Sequence, residues 1–190
     1  MIYEKRCLVN KKAQFKTRAE EANKKYISGY FAVFDDIYEM WPGGSESIDK
    51  DAFRNTINDD IRCLADHDTR IVLGRTKSGT FNLKVDDKGL WGEVEINPFD
   101  QEAVNLYERV KRGDVDQCSI GFEVIKEESV YNEDSTRWNI EEVKLYECSI
   151  VTFPAYEKTE VSARKKQVKD IRKKQNETFR NDMIKKLKGE

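Results

Sequence analysis

One histidine stands in this chain of 190 residues, and no stretch approaches the ~20 consecutive apolar residues that a bilayer span requires. The first scarcity excludes any mechanism that needs two imidazoles: if an imidazole moves a proton here, it is His67. The second excludes a helical membrane protein. The four cysteines, Cys7, Cys63, Cys118 and Cys148, form no C-x-x-C pair, which argues against zinc or dithiol chemistry and for free, mostly buried thiols. The opening MIYEKRCLVNKK has no continuous apolar segment of the signal-peptide kind, so secretion is not expected and folding in a cytoplasm is. There is no internal repeat and no G-x-S-x-G elbow of the α/β-hydrolases.

What is present is a chain that is 38% hydrophobic and 37% charged, too apolar for disorder. Its length suits one domain with a real core, plus an appendage. The net charge of −2 conceals an asymmetry: residues 163–190 hold 11 Lys or Arg against 4 Asp or Glu. Between Ala155 and Gly189 there is neither proline nor glycine, and the segment reads as a charged helix. Val168, Ile171, Phe179, Met183 and Leu187 fall near one face of it.

The body reads mainly as strands. YISGYFAVF (26–34) is aromatic and β-branched, with a glycine that suggests a bend or bulge. IRCLA (61–65) is a short apolar run that ends at Asp66, His67 and Asp68. TFNLKV and LWGEVEI flank DDKG, a hairpin signal with glycine expected in a left-handed position. In PFDQEAVNLYERVKRGD, Pro98 and Asp100 mark a helix start and Gly113 a stop, with Ala103, Leu106, Tyr107 and Val110 at helical spacing. A shorter helix is predicted over Ile48–Ile57. CSIGFEVI and WNIEEVKLYECSIVTF read as further strands. This pattern predicts a mainly β, α+β fold: an antiparallel barrel or sandwich with helices packed outside.

A serine hydroxyl becomes a nucleophile at neutral pH only when a base takes its proton, and the base needs a third group to fix its tautomer. His67 follows one predicted strand, Ser119 begins another and Glu147 lies in a third, so strand ends far apart in sequence can converge. Because strand side chains alternate, Cys118 and Ser119 face opposite sides, and only one of them can meet His67. Gly121 leaves room for a substrate backbone or permits a bulge that aims the hydroxyl. Three rivals stand beside this set. Cys118 with His67 would make a cysteine hydrolase, and Asp66, His67, Asp68 and Glu147 could be read as metal ligands. A non-catalytic scaffold or assembly protein would use the cluster Lys165, Lys166, Arg172, Lys173 and Lys174 as a basic tail.

Taken together, "ADHD" (65–68), "CSIGF" (118–122) and "ECSIVTFPA" (147–155) resemble the tailed-phage prohead proteases. These are capsid-maturation serine proteases related in fold to the herpesvirus assemblins. GYFAVFDD (29–36) and ESIDKDAF (46–53) resemble the family's early segments. The resemblance implies His67 as general base, Ser119 as nucleophile and Glu147 as the acid orienting His67, where assemblins use a second histidine. It implies oxyanion donors in the backbone N–H groups of Ala155 and Tyr156, since Pro154 has none. It also implies an antiparallel β-barrel of the herpesvirus protease type over residues 1–160 and a basic helical tail over 161–190. The activity implied is endopeptidase cleavage of the scaffolding segment of the major capsid protein, and of the chain itself. The setting implied is the phage prohead in the host bacterial cytoplasm, the gene lying in a phage or prophage. No cofactor, metal or membrane is implied; a homo-oligomer and nucleic acid bound through the tail are left open.

Overall fold

The computed structural model describes residues 6–10, 15–19, 24–34, 36–132, 134–153 and 158–188. In chain order the strands are β1 (Arg6–Asn10), β2 (Lys16–Ala19), β3 (Lys25–Val33), β4 (Tyr38–Trp41), β5 (Gly44–Ile48), β6 (Arg62–Ala65), β7 (Asp68–Arg75), β8 (Phe81–Val85) and β9 (Gly89–Ile96). Helix α1 (Gln101–Arg112), strands β10 (Gln117–Tyr131) and β11 (Thr136–Val151), and helix α2 (Lys158–Lys188) follow. The chain divides into two compact units, Met1–Tyr156 and Glu157–Glu190. No helix among the described residues is long and apolar enough to cross a membrane.

The described strands of the first unit form two sheets. One has four strands in the order β2-β3-β9-β8, all antiparallel. The other has seven, with the path β1-β10-β11-β5-β4, and with β6 also paired to β11 and β7 to β6. The 16-residue β11 makes this possible by taking two partners in turn along one side. Thr136–Ile140 pairs in parallel with β5, and Glu147–Ile150 pairs in parallel with β6. The intervening chain is tied to the same side of β11: Asp49 N–H donates to Ile140 O, Val143 N–H to Ala52 O, and Leu145 N–H to Thr56 Oγ1.

Two expectations are corrected here. The fold is mainly β with a few helices, but among the described residues no ladder joins the two sheets, so no closed barrel forms, and β11 pairs in parallel with both β5 and β6. Residues 50–58 form successive turns instead of a helix, with bonds such as Ala52 N to Asp49 O and Thr56 N to Phe53 O. Turns closing every three or four residues place side chains at nearly helical spacing, and Ala52, Phe53 and Thr56 are buried.

One core joins the sheets. It takes Ile27 and Phe31 from β3, Leu90 and Val94 from β9, Ile120 and Phe122 from β10, and Cys148 and Ile150 from β11. Phe31 meets Phe81 edge to face at 5.8 Å, a favoured aromatic geometry. Helix α1 adds Ala103, Leu106, Tyr107 and Val110, the four residues its periodicity selected. Asp100 caps its start, Oδ1 accepting the N–H groups of Glu102 (3.0 Å) and Ala103 (3.2 Å). Gly113 ends it at φ 87°, where a side chain is disfavoured.

The hairpin of β8 and β9 closes through Asp86, whose Oδ1 accepts the N–H groups of Lys88 and Gly89. Gly89 is not in the left-handed region expected for it; a Cβ there would lie 2.0 Å from Ala32 O, so close approach to β3 excludes a side chain. The bend expected from Gly29 in β3 appears as a register shift between Tyr30 and Ala32.

Helix α2 is continuous over 31 residues, and its expected apolar stripe includes Phe179 and Met183, both exposed. Replacing the α1 cap, Asp100→Ala, should lower the stability of the first unit by about 1 kcal/mol, read from a shifted urea midpoint at unchanged slope.

Candidate active site

His67 is held in a turn that few side chains adopt. Strands β6 and β7 are antiparallel with Ala65 opposite Asp68, so Asp66 and His67 are the whole connection. Both have positive φ, 47° and 59°, as the two central residues of a type I′ hairpin turn must. Glycine or asparagine is the usual occupant, and each non-glycine residue there costs on the order of 1 kcal/mol. Asp66 offsets part of this. Its N–H donates to Ile150 O at 3.0 Å, and its carboxylate accepts the Thr152 N–H at 2.6 Å and the Thr152 hydroxyl at 3.1 Å. The turn is thereby fastened to the end of β11.

Glu147 comes to His67 from β11, which lies between β6 and β10. It sits opposite Arg62 on one side and Gly121 on the other. His67 Nδ1 and Glu147 Oε1 are 2.7 Å apart. The second oxygen, Oε2, accepts the hydroxyl of Ser149 at 2.6 Å. Glu147 is 4% exposed and Ser149 wholly buried, and hydrogen bonds to a desolvated carboxylate are strong and directional.

Gly121 is required by the same carboxylate. A Cβ on Gly121 would fall 2.3 Å from Glu147 Oε1 and 2.9 Å from its Cδ. The space expected to admit a substrate backbone is therefore filled by Glu147. The bulge is also present, as a register shift between Gly121 and Phe122.

Ser119 lies one alternation before Gly121 on the same face of β10, directly opposite Ser149. Among the described residues its hydroxyl has no hydrogen-bond partner, and the residue has no exposed surface. The structure therefore joins His67 to Glu147 and sets Ser119 on the neighbouring strand, on the face that carries the carboxylate, without a bond to the imidazole. Among the described residues no open cleft is seen at Ser119. Cys118 faces the other way, its thiol directed at Tyr30 O (3.2 Å) and Phe31 O (3.5 Å) of β3. Burial pushes the Cys63 and Cys148 thiols well above the ordinary range, and nearby negative charge on Glu147 adds to the effect. These cysteines are poor nucleophiles.

The metal-ligand rival is not assembled. Asp66 is turned to Thr152, Asp68 to Arg70, and among the described residues no three His, Cys, Asp or Glu side chains gather as ligands. The proposed oxyanion donors Ala155 and Tyr156, with Pro154, lie outside the described residues. Sequence reasoning missed Ser149 and the anchoring role of Asp66. Ser149 could have been found, because it stands two residues after Glu147 on a strand and so shares its face.

An imidazole paired with a buried carboxylate, next to a serine in the adjoining strand of a mainly β fold, has the parts of a serine hydrolase. The chain belongs to the caudovirus prohead serine protease family, whose model matches residues 13–174. It is 27% identical over 142 residues to the prohead protease of Enterobacteria phage HK97, covering 72% of this chain and 60% of that protein's length. A structural likeness to the bacteriophage T4 capsid assembly protease covers 80% of this chain and 99% of that one, at 12% identity and a TM-score of 0.49.

Gly121→Ala should displace the carboxylate, destabilising the fold by about 1–3 kcal/mol. With one histidine in the chain, ¹⁵N-labelled imidazole gives one set of ring signals, and the hydrogen-bonded Nδ1 resonance of the wild type should vanish in the variant. A separate expectation concerns Asp68, which the Arg70 guanidinium holds down to about 2. Its contribution to stability should be complete above the ordinary carboxylate value near ~4 and disappear as pH falls through about 2. Asp68→Asn and wild type should therefore differ in melting temperature at pH 7 and converge in strong acid.

Proposed function

We propose that the protein is a serine endopeptidase that cleaves the scaffolding segment of a phage major capsid protein, and itself, inside the prohead in the host cytoplasm. Membership of a serine protease family supports the reaction class. The observation that carries the assignment of residues is the His67–Glu147 pair at 2.7 Å, adjoining the strand that bears Ser119. In this reading Glu147 accepts Nδ1–H, which fixes the tautomer and leaves Nε2 as the proton acceptor. Ser119 Oγ attacks the peptide carbonyl while His67 takes its proton. The imidazolium then returns that proton to the leaving amine, and water releases the acyl group by the reverse sequence. Backbone N–H groups of Ala155 or Tyr156 would hold the oxyanion.

The missing Ser119–His67 bond is compatible with this. Catalytic hydrogen bonds often tighten only when substrate binds, and among the described residues Ser119 Oγ has no competing partner to release. The proposal extends to a catalytic body up to about residue 160, a basic helical tail beyond it, and kinship with the herpesvirus assemblins. The motifs ADHD, CSIGF and ECSIVTFPA on a mainly β fold support that kinship.

Co-expression with the cognate capsid protein, and mass measurement of the products, tests the assignment. Ser119→Ala should reduce cleavage by about 10⁴- to 10⁶-fold with the fold intact. Glu147→Gln should lower turnover by about 10⁴-fold, since an amide cannot support the imidazolium. Wild-type cleavage by Ser119→Ala would remove Ser119 from the mechanism; wild-type turnover by Glu147→Gln would remove the acid.

A further inference from the structure

The strand that carries Ser119 has a neighbour on each side. One is β11, which supplies Glu147. The other is β1, at the edge of the sheet, paired antiparallel so that Cys7 stands opposite Gly121, Leu8 opposite Ile120, Val9 opposite Ser119 and Asn10 opposite Cys118.

Two observations on β1 and one on Ser119 bear on this edge. Strand β1 pairs with β10 only over Cys118–Phe122, the stretch containing Ser119 and Gly121, although β10 continues to Tyr131. It ends at Asn10, before residue 13, where the match to the family model begins. And Ser119 has no exposed surface, so some part of the chain must move before a substrate carbonyl can reach its hydroxyl. A short edge strand, held by one neighbour in its own sheet, is the part of a sheet that separates at least cost.

We propose that the Cys118–Phe122 edge of β10 is a strand-addition surface for an extended peptide, and that residues 6–10 are its resident occupant, which an incoming peptide displaces. Strand addition takes its affinity from main-chain hydrogen bonds, which any extended peptide can supply, so β1 and a foreign segment compete for the same donors and acceptors. The tether places β1 at an effective concentration in the millimolar range. A dilute peptide therefore competes poorly, and one crowded to a similar concentration displaces it. That the displacing peptide is a substrate rests on the peptidase reading; the exchange of strands does not.

Adjacent residues of a strand point their N–H groups to opposite sides, so Leu8→Pro with Val9→Pro removes whichever of the two donors faces β10. Anisotropy of a labelled peptide of residues 1–12 should show the full-length double variant binding at least about 10-fold more tightly than the wild type. Equal binding, or none by a variant that melts cooperatively, would overturn the proposal. So would a variant unable to fold, which would make β1 an integral strand. Hydrogen exchange on the wild type gives a reading without mutation. The amides of residues 6–10 should exchange at least about 100-fold faster than those of residues 143–151, and equal protection would refute the idea. If both measurements come out as expected while no form of the chain cleaves the capsid protein, the peptidase reading fails and the strand exchange stands.

Discussion

The site depends on a carboxylate lying where a side chain is missing. Glu147 rests over the bare backbone of Gly121, and only from that position does one oxygen face the imidazole while the other takes the Ser149 hydroxyl. Any Cβ at residue 121 would push the acid away from both partners. The same constraint explains the spacing of CSIGF: the serine and the glycine are two residues apart because both must lie on the acid's face of the strand, while Cys118 and Ile120 between and before them fill the core.

Around this contact the sheet brings together three segments distant in sequence. Strand β11 is long enough to hold β5 with its first part and β6 with its second, and the second pairing puts the His67 turn beside Glu147. Asp66 then fixes that turn to Thr152, at the entrance to the segment in which the oxyanion donors are proposed. The turn bearing His67 is thus tied by hydrogen bonds both to Glu147 and to Thr152 at the end of β11.

Much of this was legible in the sequence where the determining interactions are local. Helix α1 announced its cap, its buried face and its glycine stop, because each follows from residues within a turn or two of one another. The pairing of His67 with Glu147 was legible only through three motifs read jointly, since nothing local to either residue specifies the other. The parallel pairing of β5 and β6 with one strand was not legible, because it depends on contacts about 90 residues apart, such as Ser47 to Asn139. Residues 50–58 misled because successive turns and a helix present similar apolar spacing. Gly89 was identified as necessary for the wrong reason: a neighbouring carbonyl, not a positive φ, forbids its side chain.

The turn at Asp66 and His67 carries a wider implication. Its backbone is one that asparagine and glycine occupy with ease, so a search for the most stable sequence at these two positions would discard the imidazole. Backbone ease and side-chain identity are therefore opposed at residue 67, and any effort to harden this protein by consensus or design would gain robustness there only by erasing its single imidazole.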